Sequence, residues 1–339
     1  MPSPPETTSS NPFRAAAVLV TYNRKELLVE CLDALLRQSR PLDRIIVIDN
    51  ASTDGTPEHL KQLGYLEKPI IDYTRMPQNT GGAGGFHEGV KRGYKAGYQW
   101  LWLMDDDVEP TPDALETMLS YSHVSKCLQA ARIYADGQPH PWEQWVNIDR
   151  SGRRSASQEK LDGDYITVQV ACFEGMLINR DIITKIGFPD KRFFIGGDDT
   201  AYGYLASKQT ENIYINKPCF IKKIRKPVSL HESFFVRIFN RFRVQRPTRF
   251  YFLSIRNELL LRRYLGDAVE PIRFYWRVSC VLLKHCVTTL VCERSRQNFA
   301  ALWRGVFEGM SLKVPPPQDA PETEEAPEPI DSPQPAMRR

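Results

Sequence analysis

The sequence predicts an α/β protein with a mixed, mostly parallel sheet flanked by helices. Short apolar runs of strand length alternate with segments whose leucines recur at helical spacing, as in AAAVLVT, then 25–38, then RIIVI. Each apolar run ends in polar residues. Because a strand, helix and strand of this length normally form a right-handed parallel unit, the polar segments should collect at one edge of the sheet.

The run WLWLM at 100–104 has strand length and no helical spacing, so we expect a central strand covered on both faces. It ends in Asp105, Asp106 and Asp107. Ligands of open α/β sheets bind at this edge, and carboxylates two residues apart can turn toward one hard cation. The alternative is a solvated loop before a helix predicted at 112–125, since Asp and Pro both suit a first helical turn.

Polar residues also follow the other predicted strands. Asn23 follows the first strand, Asp49 and Asn50 follow the second, and QNTGGAGGF follows a third strand near 70–74. The glycines allow close backbone approach, and a helix beginning near Phe86 would point its N-terminus at an anion. The spacing matches neither GxGxxG nor GxxxxGK[ST]. This convergence suits a nucleotide diphosphate with its metal.

Four motifs in this order, VLVTYNR, VIDNASTDGT, QNTGGAGGF and WLWLMDDDVEP, resemble those of the inverting family 2 glycosyltransferases. The resemblance covers about residues 14–235 and implies a GT-A (Rossmann-like) sheet, a nucleotide-sugar donor and Mn²⁺ or Mg²⁺ as cofactor. The triple aspartate with NTGGAGGF looks most like the galactofuranosyltransferase branch. Rhamnosyltransferases share much of the pattern, so UDP-galactofuranose and dTDP-rhamnose both remain possible donors.

The resemblance also implies residue roles on the donor side. The metal ligands would be Asp105, Asp107 and His231, the last standing 32 residues after Asp199. A lone histidine is often structural, which is the alternative for His231. The expected contacts to the nucleotide sugar are Thr21, Asn23, Arg24, Asp49, Asn50, Asn79, Gly81, Gly82, Gly84, Asp105 and Asp106.

A second motif, FFIGGDDTAY, is similar to the acceptor-side motif of this family. It implies that Asp199 is the general base and that Asp198 orients the acceptor or the base. A carboxylate within hydrogen-bond reach of a sugar hydroxyl can remove its proton as the anomeric carbon is attacked. The alternative is that both aspartates cap a helix beginning near Thr200. Ala201 and Leu205 depart from the family pattern, which weakens acceptor recognition by analogy.

Three further residues are acceptor candidates. Trp142 and Trp145 form either a stacking platform for a sugar or part of the core, and Glu174 is either a site carboxylate or a hydrogen-bonded structural group. The implied chemistry is a single displacement with inversion, in which a metal acts as Lewis acid and no protein nucleophile is needed.

The charge is unevenly distributed along the chain. The formal net charge is +4, but residues 220–310 carry 18 Lys and Arg against 6 Asp and Glu, interleaved with aromatics. Such helices suit an anionic membrane surface and an acceptor linked to a polyprenyl diphosphate; a dimer interface is the alternative, and no nucleic-acid motif accompanies them. Residues 1–13 and the Pro/Glu-rich 313–339 should be disordered.

These observations give the predicted organisation: a transferase domain at 14–235, divided near 125/126 into a nucleotide-sugar half and an acceptor half, then a basic, aromatic helical region at 236–312. Scattered cysteines and the lack of a signal-peptide pattern predict a cytoplasmic protein, peripheral at the inner membrane face. The implied function is extension of a lipid-linked bacterial surface glycan. The rivals are a non-catalytic sugar-nucleotide or glycan binder and a nucleotidyltransferase.

Overall fold

The computed structural model describes residues 14–140, 146–155, 163–224 and 246–314. Strands and helices alternate through the N-terminal part, as the apolar periodicity predicts. They are β1 (Ala15–Thr21), α1 (Lys25–Leu36), β2 (Arg44–Asp49), α2 (Thr56–Gln62), β3 (Ile71–Arg75), α3 (Gly81–Lys95), β4 (Trp100–Asp105), β5 (Val108–Pro110), α4 (Ala114–Ser120) and β6 (Cys127–Tyr134).

Short strands and three long helices follow. They are β7 (Asn147–Ile148), β8 (Arg154–Ser155), β9 (Tyr165–Val168), β10 (Met176–Asn179), α5 (Arg180–Ile186), α6 (Asp198–Ser207), β11 (Asn212–Lys222), α7 (Thr248–Leu265), α8 (Pro271–Val287) and α9 (Arg296–Ser311). Within the described residues, no helix combines the length and the apolar character that crossing a bilayer requires.

One mixed sheet organises the molecule. Its strand order is β3-β2-β1-β4-β10-β6-β11-β5, with β9 also paired to β11. The first four strands in this order are parallel, β10 is antiparallel to both of its neighbours, and β11 runs parallel to β6. The predicted α/β architecture with a parallel N-terminal half is confirmed.

Strand β4 lies in the middle of the sheet and is buried on both faces. Trp102 packs into the apolar cluster beneath α1 and α4, whereas Leu101 and Leu103 pack beneath α3. Alternating side chains of one strand therefore serve two cores, which explains the uninterrupted apolar run. The expectation of a central strand covered on both faces is confirmed.

Helix α3 begins at Gly81, five residues before the predicted start near Phe86, so the expected glycine loop is wrong. The reason is packing against the sheet. A Cβ at Gly85, Gly89 or Gly93 would lie 2.5, 2.3 and 2.5 Å from side-chain atoms of the sheet. These three glycines recur every four residues on one helix face and let α3 approach the strands closely. Two other boundaries also differ, since α4 is shorter than 112–125 and α6 begins at Asp198 rather than near Thr200.

The C-terminal helices hold the loop that precedes α6. The Nδ2 atom of Asn257 on α7 lies 2.9 Å from the carbonyl oxygens of Phe193, Ile195 and Gly196, which share its two N–H groups. Phe193 is also buried in an apolar cluster with Tyr251 of α7. The position of the Asp198–Asp199 pair therefore depends on contacts from the basic, aromatic region.

Candidate active site

Three carboxylates meet at the carboxyl end of β4. One oxygen each from Asp105, Asp107 and Glu174 lies within 4.8 Å of the others. Glu174 reaches this position because the following strand, β10, pairs with β4, with the Gly175 amide donating to the Leu103 carbonyl at 2.8 Å. A set of carboxylate oxygens is the donor type that Mg²⁺ and Mn²⁺ prefer. The cluster fits the cation implied by the sequence motif.

Two cations balance Glu174. The Lys222 Nζ lies 2.9 Å from Glu174 Oε1 and 2.5 Å from Asp107 Oδ1, and the Arg132 guanidinium donates to Glu174 Oε2. Burial alone would raise the pKa of Glu174, but the charges of Arg132 and Lys222 lower it to about 2. Burial from water and the nearby Glu174 charge raise the pKa of Asp105 well above its ordinary value.

Asp106 faces the β1–α1 loop. It accepts a hydrogen bond of 2.7 Å from the Thr21 hydroxyl and one of 3.0 Å from Arg24, whose Nη1 also lies 3.3 Å from Asp107 Oδ2. Burial raises the pKa of Asp106, and the contacts from Thr21 and Arg24 oppose that shift. The structure brings the predicted residues Thr21, Arg24 and Asp106 together. The side chain of Arg24 is partly exposed, so an anionic ligand could contact it.

The predicted polar residues after β2 make hydrogen bonds within the protein. Asp49 accepts from the Ser52 amide at 2.8 Å and from the Tyr73 hydroxyl at 2.5 Å. Asn50 donates to the Gly81 carbonyl at 2.7 Å and so joins β2 to the start of α3. These bonds shape the wall of the site, and direct contacts of Asp49 and Asn50 with a nucleotide stay predictions.

The remaining donor-side residues lie on two loops and in the first turn of α3. Asn23 accepts a hydrogen bond of 2.6 Å from the Thr53 amide, and Asn79 accepts one of 2.8 Å from the Gly81 amide. The Cα hydrogen position of Gly82 faces open space, whereas a Cβ at Gly84 would lie 2.3 Å from Thr80. Gly84 is therefore required by packing, and a contact between Gly82 and a nucleotide sugar stays a prediction.

The Asp198–Asp199 pair stands at the first turn of α6, after Gly197 in a left-handed conformation. Arg154 of β8 donates from Nη2 to Asp199 Oδ2 at 2.6 Å and from Nε to the Thr200 hydroxyl at 2.8 Å. Asp199 Oδ1 accepts from the Thr200 amide at 2.6 Å. The N-cap of α6 is Gly197, with no side-chain capping bond, so the alternative that the two aspartates cap the helix is wrong. One oxygen of Asp199 is held by Arg154.

A cleft of about 710 Å³ connects the two acidic groups. Its lining includes Glu174 of the carboxylate cluster, Lys222, which contacts that cluster, and Asp199. Helices α7 and α8 contribute a wall in which Arg277 donates to Glu258 at 2.7 Å. An acceptor in this cleft would lie close to both Glu174 and Asp199, the predicted base.

Three predicted residues, Trp142, Trp145 and His231, lie outside the described residues. Sequence reasoning missed Arg132, Arg154 and Lys222, which sit on strands far along the chain from the carboxylates they contact. Arg132 and Lys222 reach the site because β6 and β11 pair with the rest of the sheet. No local sequence motif indicates this pairing.

The mixed sheet, the acidic cluster at the end of its central parallel strand and the adjoining helix-walled cleft together define a GT-A fold. Solved structures share it. Staphylococcus aureus TarS residues 1–349 in complex with UDP-GlcNAc is 14% identical with a TM-score of 0.55, covering 87% of this chain and 80% of that one. The Pyrobaculum calidifontis mannosyltransferase PcManGT in complex with GDP-Man and Mn²⁺ is 15% identical with a TM-score of 0.51, covering 87% and 73%.

The chain belongs to glycosyl transferase family 2, whose family model matches residues 16–187, just over half of its length. It is 32% identical over 190 residues to galactofuranosyltransferase GlfT1 of Mycolicibacterium smegmatis, covering 54% of this chain and 62% of the relative. The Mycobacterium tuberculosis GlfT1 is 33% identical over 199 residues, covering 54% and 61%. The chain thus spans about three-fifths of the length of these relatives. The predicted family and fold are confirmed.

Proposed function

We propose that the protein is an inverting glycosyltransferase that transfers galactofuranose from UDP-galactofuranose to a lipid-linked glycan acceptor. One observation carries the proposal: Glu174 of the carboxylate cluster and Asp199 line one cleft of a size suited to sugars. The identity to curated galactofuranosyltransferases supports the choice of donor sugar. A dTDP-rhamnose donor is the alternative that the same motifs allow.

The carboxylates of Asp105, Asp107 and Glu174 would hold Mn²⁺ or Mg²⁺. A divalent ion bound there supplies charge neutralisation for the departing nucleoside diphosphate. Arg24 lies 3.3 Å from Asp107 and 3.0 Å from Asp106, and would add a positive charge on the nucleotide side. The predicted third ligand, His231, stays a prediction. Among the described residues, Glu174 is the third carboxylate within 4.8 Å of Asp105 and Asp107.

Asp199 accepts the proton of the acceptor hydroxyl in this proposal, while that oxygen attacks the anomeric carbon and the nucleoside diphosphate leaves. Arg154 fixes the carboxylate by its 2.6 Å contact and so directs one oxygen. The second oxygen accepts from the Thr200 amide at the start of α6. Because the attack is a single displacement, the configuration at the anomeric carbon inverts.

An acceptor in this cleft would lie beside a surface suited to membranes. Helix α8 contributes Arg277 and Val281 to the cleft wall and exposes Ile272, Trp276, Leu283 and Val287 on its outer side. We call these four residues the outer face of α8. Their spacing puts them on one side of the helix, and exposed Arg273 and Lys284 flank them. An anionic membrane could bury the apolar groups and bind the basic groups through its headgroups. The proposed enzyme is therefore peripheral and cytoplasmic.

The donor assignment is tested by ligand-induced stabilisation. A ligand that binds only the folded protein raises its Tm. We expect UDP with Mn²⁺ to raise the Tm of the wild type more than dTDP with Mn²⁺ does, and Asp107→Ala to lose the metal-dependent part of this effect. A larger shift with dTDP would move the assignment to a rhamnose donor. No shift with either nucleotide would contradict the proposal.

Catalysis is tested separately with UDP-galactofuranose and a polyprenyl-linked glycan acceptor. We expect Asp199→Asn to lower the rate of sugar transfer by a factor of about 10² to 10⁴, the usual contribution of a general base. UDP should still stabilise the variant. Undiminished transfer by Asp199→Asn would remove the assigned base. Binding of UDP without transfer by the wild type would favour a non-catalytic binding protein.

A further inference from the structure

Lys222 is a buried cation inside the carboxylate cluster. Its side chain is 6% exposed, and its ammonium contacts Asp107 and Glu174 at 2.5 and 2.9 Å. The backbone around it is fixed, because Lys222 pairs with Val108 of β5 on one side and with Tyr134 of β6 on the other. The Lys223 amide also donates to the Asp107 carbonyl at 2.9 Å. The ammonium is thus a built feature of the site.

The contacts of Lys222 use the oxygens that a divalent cation would need. Asp107 and Glu174 are two of the three carboxylates whose oxygens lie within 4.8 Å of one another. An ammonium and a divalent ion on the same two carboxylates would repel each other at a distance of a few ångströms in a site poorly screened by water.

We propose that Lys222 is a resident cation that competes with the divalent metal for Asp107 and Glu174. Metal binding then requires that the ammonium leave these carboxylates, which lowers the affinity of the site for the ion. The inference rests on the metal site of the proposed function. It assigns to one lysine the control of how tightly the metal is held before the nucleotide arrives.

The main experiment is a Mn²⁺ titration of the full chain without nucleotide, followed by the electron paramagnetic resonance signal of free Mn²⁺. We expect Lys222→Met, which keeps the length of the side chain and removes its charge, to bind Mn²⁺ at least about tenfold more tightly than the wild type. Lys217→Met is the matched control, because Lys217 lies on the same strand in an exposed ion pair with Asp113. Its Mn²⁺ affinity should equal that of the wild type.

Equal or weaker binding of Mn²⁺ by Lys222→Met would overturn the competition and leave the proposed function intact. If neither protein bound Mn²⁺, even with UDP present, the metal assignment under the proposed function would fail as well. The two failures are therefore distinguishable.

A second measurement uses the wild type and does not depend on the folding of a variant. Acetylation of lysines by a small amine-reactive ester, quantified by mass spectrometry, reports how accessible each ammonium is. We expect saturating Mn²⁺ to increase labelling of Lys222 several-fold and to leave Lys217 unchanged. Unchanged or reduced labelling of Lys222 would show that the ammonium stays in place, and the proposal would be wrong.

Discussion

Asp198 and Asp199 are adjacent in the sequence but experience different surroundings. Asp199 is partly exposed toward the cleft and is paired with Arg154 at 2.6 Å. Asp198 is buried, and burial together with the charge of Asp199 raises its pKa to about 7. Near neutral pH the pair therefore carries fewer than two negative charges. Asp199 is the member of the pair that lines the cleft, as the predicted base must.

The raised pKa of Asp198 predicts a pH-dependent stability. Because its folded-state pKa of about 7 exceeds the ordinary 3.8, the native protein binds this proton more tightly than the unfolded chain, and stability falls as pH rises from about 4 to 7. Asp198→Asn removes that loss. We expect the variant to gain stability relative to the wild type between pH 5 and pH 8, by at most about 4 kcal/mol.

Thermal unfolding of both proteins at pH 5 and pH 8 measures this gain. Asp181→Asn, at the exposed start of α5, serves as control and should give the same change in Tm at both pH values. A difference between Asp198→Asn and the wild type that does not vary with pH would show that Asp198 ionises normally.

At the residue scale, the sequence predicts groups that sit in local motifs and misses groups that arrive from elsewhere. Asp105 and Asp107 were identifiable because a strand and its following loop are contiguous in the chain. Glu174 was identified only as a candidate with an open role, and Lys222 was not identified, since their positions depend on strand pairings between distant segments. The charges that surround the aspartates therefore depend on which strands pair in the sheet.

At the scale of elements, the glycines at the start of α3 predict a loop, but the structure has a helix there. Four glycines in GGAGG predict a loop from helix propensity alone, since each costs about 1 kcal/mol relative to alanine in a helix. The helix forms nevertheless, because Gly85 and Gly89 allow it to pack on the β-sheet with little space between them. Tertiary packing overrides the local preference at this segment.

Two Gly→Ala substitutions in α3 separate these effects. At Gly89 the new Cβ would lie 2.3 Å from Val18 Cγ1, so we expect a loss of about 1–3 kcal/mol from overpacking. At Gly82 nothing lies within 4 Å of the new Cβ, and the improved helix propensity should leave stability unchanged or raise it by up to about 1 kcal/mol. Chemical denaturation measures both. Equal effects at the two positions would contradict the packing explanation.

At the scale of the whole molecule, the C-terminal helices both complete the cleft and present a separate surface. Asn257 of α7 fixes the loop before Asp198, and Arg277 of α8 lines the cleft. The sequence predicted basic, aromatic helices here but not their contacts with the acceptor side, because these depend on how the helices dock on the sheet. The predicted boundary at 235/236 falls outside the described residues and stays a prediction. Helix α8 thus takes part in both proposals, because one side of it lines the cleft and its outer face is proposed to bind the membrane.

The outer face of α8 predicts binding to anionic vesicles. Trp276 is 74% exposed and Leu283 is 67% exposed, so replacing both with aspartate should not disturb the core. It places two negative charges and removes two apolar groups where the lipid would lie. We expect the wild type to float with vesicles containing phosphatidylglycerol, and Trp276→Asp with Leu283→Asp to lose at least about tenfold in partitioning.

The matched control is Leu63→Asp, because Leu63 is an exposed leucine after α2, in the nucleotide-sugar half of the chain. It should bind vesicles as the wild type does, and all three proteins should keep the same UDP-induced rise in Tm. High salt should weaken wild-type binding, because salt screens the attraction between the flanking Arg273 and Lys284 and the anionic lipid. If the double variant binds vesicles as well as the wild type does, the outer face of α8 is not the lipid-binding surface. In that case its apolar side chains are better explained as a contact between two copies of the chain, which the sedimentation of the variant would reveal as a loss of dimer.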